Sequence, residues 1–97
     1  MSAPAESKPQ LLFFYSARSG SSRRAEAFIA QVLQRRRNHD TFVLRRIEVD
    51  EHPEIAERFR VTETPTVFVV DQNRVSAQLV KPRGCTELEA LMRPWLH

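Results

Sequence analysis

Leu11-Leu12-Phe13-Phe14-Tyr15-Ser16-Ala17-Arg18-Ser19-Gly20-Ser21-Ser22-Arg23 is the stretch on which the fold of this chain turns. The unbroken apolar run Leu11 to Tyr15 reads as a strand covered on both faces. It breaks into a serine/glycine turn, and Ser19, Gly20 and Ser21 supply turn and N-cap chemistry. A helix is then predicted to about Arg37, because Ala25, Phe28, Ile29, Val32 and Leu33 recur three and four apart. Its last residues, Gln34-Arg35-Arg36-Arg37-Asn38, put cations at the negative end of the helix dipole, where they are favourable.

Downstream, Thr41 to Val49 reads as a second strand. Val49-Asp50-Glu51-His52-Pro53 ends it and opens a short helix, with Pro53 at an early helical position. Ile55, Ala56 and Phe59 form the buried side of that helix. Val61 to Pro65 is a loop, and Thr66-Val67-Phe68-Val69-Val70 is a third strand, rich in β-branched residues. Asp71-Gln72-Asn73-Arg74 turns into a fourth strand, Val75 to Val80, and so short a polar connection implies an antiparallel hairpin. Pro82-Arg83-Gly84 breaks that strand. Cys85 or Thr86 is placed to cap a last helix whose apolar positions are Leu88, Leu91, Met92 and Trp95. The order β-α-β-α-β-β-α predicts an α/β fold, with a four-stranded mixed sheet and helices on both faces.

The chain has 97 residues, enough for one small domain. Residues 1–9 read as a disordered leader and 10–97 as the domain. The leader has no apolar core of the signal-peptide kind, and no apolar run approaches the roughly 20 residues needed to span a bilayer. Cys85 is the one cysteine, so no internal disulfide can form, and a lone thiol fits a reducing compartment. A cytoplasmic protein with no membrane partner is expected. The net charge is +3, and of fifteen basic residues only Lys8 and Lys81 are lysine. That arginine bias has two readings, a GC-rich codon usage or an anionic partner. The pairs Arg23-Arg24 and Arg45-Arg46 and the triplet Arg35-Arg36-Arg37 could line a stripe. Glu26, Asp40 and Glu48 interrupt it, and no aromatic residues interleave for base stacking, so nucleic acid is disfavoured as a partner. No Cys/His spacing suggests zinc, and neither a metal nor a cofactor is expected.

From Leu11 to Leu96 the sequence resembles the thioredoxin family. Phe14-Tyr15-Ser16 is similar to the strand that leads into the family's active loop. Ser19-Gly20-Ser21-Ser22-Arg23 resembles its Cys-Gly-x-Cys-Lys segment, with serine at both sulfur positions. Ile47-Glu48-Val49-Asp50, His52-Pro53 and Phe59 are similar to its second strand and short helix. Val61-Thr62-Glu63-Thr64-Pro65-Thr66 resembles the segment that bears its signature cis-proline. The resemblance implies the minimal thioredoxin fold. It also implies the family's part in cell redox homeostasis, and here the residues disagree. Thiol–disulfide exchange needs a thiolate that attacks a sulfur. The hydroxyls of Ser19 and Ser22 cannot supply one. Two further positions depart from the pattern. Phe13 stands where the family commonly has a buried acid, and Arg18 where it usually has tryptophan.

These departures favour natural loss of the redox pair, leaving no catalytic residue in the loop and a module that binds a protein or peptide. In the family, extended peptides lie against the loop before the cis-proline. Here that surface is Glu63, Thr64 and Pro65 beside Ser19; the alternative is that Pro65 only shapes the loop. A rival reading is a family oxidoreductase in cysteine-free form. A third is a small-anion site formed by Ser19, Ser21, Ser22, Arg18 and Arg23 at the first helix N-terminus, with Arg24 nearby. Against it, those arginines can simply point into solvent. Cys85 is a possible reactive thiol beside Lys81 and Arg83, or an incidental helix-start residue. Serine hydrolysis is weaker, since the nucleophile-elbow pattern is absent and His39, His52 and His97 sit beside turns or at the terminus.

Overall fold

A computed structural model describes residues 8–35 and 40–96 of the chain. The elements are β1 (Gln10–Tyr15), α1 (Gly20–Gln34), β2 (Val43–Glu48), α2 (Pro53–Arg58), β3 (Thr66–Asp71), β4 (Arg74–Val80) and α3 (Cys85–Met92), then a 3-10 turn at Arg93–Trp95. The expected order β-α-β-α-β-β-α is present. The four strands lie in the order β2-β1-β3-β4. β1 pairs parallel with β2 and antiparallel with β3, and β3 pairs antiparallel with β4. The β1–β2 connection joins parallel neighbours and holds α1, while the β2–β3 connection passes β1 in the sheet and holds α2.

The continuous apolar runs of β1 and β3 are explained by cover on both faces. Leu11, Phe13, Val67 and Val69 face one cluster, with Ala25, Ile29 and Val32 of α1 and Leu88 and Met92 of α3. Leu12, Phe14 and Phe68 face the other, with Ala56 of α2 and Ile47 of β2. In this second cluster the Phe14, Phe59 and Phe68 rings meet edge-on or tilted, with centroids 5.3–5.5 Å apart. The period-2 alternation of a strand thus sorts a featureless apolar run into two cores.

Local chemistry sets the boundaries. Gln72 and Asn73 both take positive φ, 54° and 64°, as the two central residues of a tight hairpin turn do when its twist matches the strands. Beyond α2, Arg60 is left-handed (φ 57°). Its N–H bonds the Glu57 carbonyl, and the Val61 N–H reaches back to Ala56, closing the helix end. The second strand is shorter than expected: Thr41 lies in a turn and Phe42 in a bend. Phe42 is nevertheless buried, and its ring meets Trp95 edge-on with centroids 6.2 Å apart. The last helix corrects the expected cap. Cys85 is its first residue and Gly84 is the N-cap, extended and without a side-chain bond. Trp95 lies past α3 in the 3-10 turn and donates its indole N–H to Asp71 at 3.1 Å.

Residues 1–7 of the expected leader, the helix extension over Arg36 and Arg37, and His39 and His97 lie outside the described residues. Pro9 is buried, and its carbonyl accepts the Val43 N–H. Among the described residues, no helix is long and apolar enough to cross a membrane.

Candidate functional site

The C-terminal end of β1 and the N-terminal end of α1 enclose the serine loop. Ser19 is the N-cap of α1, in extended backbone, and its Oγ accepts the Ser22 N–H at 3.2 Å. Its Oγ also lies 2.8 Å from that of Ser21. Ser22 is buried, and its Oγ accepts the Ser16 N–H at 3.2 Å, across the loop. The Ser19 N–H in turn bonds the Ser16 carbonyl. Both serines at the expected sulfur positions therefore act as acceptors for the loop's own backbone. Gly20 and Ser21 are exposed, as are Arg18, Arg23 and Arg24 around them.

Glu48, at the end of β2, holds the loop from below. Its carboxylate accepts the Ala17 N–H at 3.0 Å and the Glu51 N–H at 2.9 Å. The Ala17 bond is the main cause that holds this carboxyl below its usual range. Burial works in the other direction, while the Glu51 and Asp50 backbone N–H groups and the Arg18 charge reinforce the lowering. Sequence reasoning places Glu48 in the second strand and among the acids that interrupt an arginine stripe, and gives it no part in holding the loop. Phe13, where the family pattern has an acid, is buried and stacks on Tyr15 with centroids 5.4 Å apart.

The cis-proline loop reaches the same place. The Thr64–Pro65 peptide is cis, Pro65 is buried, and Thr66 donates its hydroxyl to the Glu63 carbonyl at 2.6 Å. Ser19, Ser21, Thr64 and Pro65 line one open groove of about 850 Å³, completed by the β4–α3 connection opposite. The expected Ser19–Pro65 juxtaposition is present. Ser22 lies beneath, buried in the loop. Glu63 is not part of that lining, but its carboxylate lies 3.1 Å from Nζ of Lys81, which is. No described residue hydrogen-bonds the Thr64 backbone N–H or carbonyl oxygen.

Cys85 does not line this groove. It sits against α1, with Sγ 2.9 Å from Gln31 Oε1 and 3.8 Å from the Phe28 carbonyl. The arginine stripe is partly paired off: Arg46 bonds Glu26 at 3.0 Å, and Arg45 Nε donates to Gln10 at 3.1 Å. His52 stands near Glu54 on α2 and hydrogen-bonds no serine among the described residues. Among the described residues no group of His, Cys, Asp and Glu could hold a metal ion.

Comparison with known proteins agrees with this geometry. The thioredoxin family model, described simply as Thioredoxin, matches residues 2–94. No curated protein sequence matches the chain significantly. Among solved structures, the germline-specific thioredoxin protein Deadhead of Drosophila melanogaster is 26% identical with a TM-score of 0.82, over 95% of this chain and 85% of that one. A mutant thioredoxin from Halobacterium salinarum is 17% identical with a TM-score of 0.80, over 96% of this chain and 79% of its own. Mitochondrial thioredoxin 3 from Saccharomyces cerevisiae is 19% identical with a TM-score of 0.78, over 93% and 82%. The latter two speak to the fold alone. With a family match over nearly its whole length, and with Cys85 as its one cysteine, the chain has the thioredoxin fold and belongs to the thioredoxin family.

Proposed function

We propose that this chain is a thioredoxin-family domain that binds an extended segment of a protein partner and performs no thiol–disulfide exchange at its serine loop. Serine stands at both positions of the family's redox pair, Ser19 and Ser22, and oxygen offers no thiolate to attack a disulfide. The observation that carries the binding half is Thr64. Its backbone donor and acceptor have no partner among the described residues, and Thr64 itself is half-buried in a groove beside Ser19. Unpaired backbone groups in such a position favour a ligand that supplies the missing bonds. An extended peptide does so in the manner of strand addition.

The serines fit the loop as structural groups, capping α1 and closing on Ser16, so the loop keeps its shape without sulfur. That favours natural loss of the redox pair over a cysteine-free form of an active enzyme. The cytoplasm is the proposed setting, supported by a free thiol that no disulfide protects.

The test is a substitution in the groove lining. A partner recovered from the native host and verified with purified components binds with micromolar affinity. Thr64→Arg, which fills the groove, reduces that affinity at least tenfold in calorimetry. Unchanged affinity removes this surface from the account. In parallel, Ser19→Cys/Ser22→Cys is assayed for disulfide reduction. Full family activity from those two changes would support the rival oxidoreductase reading.

A further inference from the structure

The groove beside Thr64 carries cations on both walls, and the peptide-binding reading makes no use of them. Arg24 rises from α1 on one side, and Lys81 and Arg83 from the β4–α3 connection on the other. Two carboxylates stand among them, and both are engaged by groups of the groove itself. Glu63 pairs with Lys81 at 3.1 Å, and Glu87 accepts the backbone N–H of Arg83. The Arg24 and Arg83 guanidiniums have no ion-pair partner among the described residues, and both are exposed. Elsewhere on the surface Arg35 and Arg46 do have such partners. The lining also includes Phe28, Pro65 and Pro82, apolar rings that offer a bound chain no competing charge.

We propose that the segment held in this groove is an acidic extended stretch of a partner protein. Its carboxylates pair with Arg24 and Arg83 while its backbone bonds Thr64. The proposal rests on the peptide-binding reading and adds the chemical class of the ligand. A guanidinium presents a planar fork that matches a carboxylate with two parallel N–H···O bonds. Arginines on opposite walls favour a strand that offers acids to both sides, as alternate side chains of an extended chain do. Nucleic acid fits less well. Phe28 is the one aromatic ring in the groove and is half-buried, which leaves no stacking platform, and Glu63 and Glu87 repel phosphates.

The experiment selects a display library of random linear peptides on the full chain and measures synthetic copies of the winners by fluorescence anisotropy. Peptides enriched in Asp and Glu are expected. Their affinity falls about tenfold on Arg24→Glu/Arg83→Glu, as reversal of two exposed charge pairs implies. Circular dichroism of that variant matches the parent, since both residues are exposed. Thr64→Arg abolishes binding. Peptides that need Thr64 but show no enrichment in acids, or ignore the charge reversal, overturn the acidic proposal and leave the groove reading standing. Binding that survives Thr64→Arg, or a library without binders, overturns the groove reading and this proposal with it. A labelled oligothymidylate that binds through Arg24 and Arg83 while acidic peptides do not also overturns it.

Discussion

Ser22 and Glu48 decide how the loop is held. Ser22 is buried, and its hydroxyl is the acceptor for the Ser16 N–H. Ser22→Ala leaves that donor without a partner and costs about 1–2 kcal/mol, read from urea unfolding followed by the fluorescence of Trp95, the only tryptophan. Glu48 adds a pH dependence. Its folded-state pKa lies below the ordinary value, chiefly because its carboxylate accepts the Ala17 N–H. The unfolded chain therefore binds the proton more readily, and stability rises with pH across that interval. The contribution is complete above the usual glutamate value of about 4.3 and disappears as pH falls through the lowered value. Glu48→Gln is expected to lower the urea midpoint at neutral pH and to flatten its decline on acidification. A midpoint that falls as steeply with acid in the variant as in the parent assigns that decline to other groups. The role of Glu48 was not legible in the sequence, because its partners are backbone N–H groups of two different loops. The hint was there: an acid follows Ile47 at the end of a strand that leads to the loop's level.

At the scale of elements, α1 depends on its cap. Ser19→Ala removes the acceptor for the Ser22 N–H and is expected to cost about 1 kcal/mol, whereas Ser19→Asp retains the cap. Equal midpoints for parent and Ser19→Ala in chemical denaturation would show that the cap contributes nothing. This start signal was readable, as was the β3–β4 hairpin from Asp71-Gln72-Asn73-Arg74. The start of α3 was misread by one residue. Polar side chains favour caps, which pointed to Cys85 or Thr86, yet extended Gly84 takes the position with no side-chain bond. The second strand was drawn too long for a similar reason. Thr41 and Phe42 have strand-like propensity, but Phe42 is placed by the core and by Trp95 instead of by a ladder. Which face each residue of β1 and β3 takes was also hidden, since both faces are apolar. Only the pairing register, Leu12 opposite Phe68 and Phe13 opposite Val67, separates the two clusters.

For the whole molecule, the element order led to the fold, and the fold accounts for the site. A short β3–β4 hairpin and two helix-bearing connections leave few topologies, which is why the four-stranded mixed sheet could be anticipated. It brings Ser19 and Pro65 together although they are far apart in the sequence. The cations of the groove were less legible, because Arg24 belongs to the first helix and Arg83 to the last connection. Their proximity exists only once the sheet has folded. The central claim concerns chemistry: a thioredoxin fold is kept as a binding surface without its sulfur pair. The most direct measurement is reduction of insulin disulfides by the unmodified chain with dithiothreitol, alongside Cys85→Ser as a control for the remaining thiol. The expected rate equals that of dithiothreitol alone for both proteins. Catalytic turnover above that background by the unmodified chain contradicts the claim.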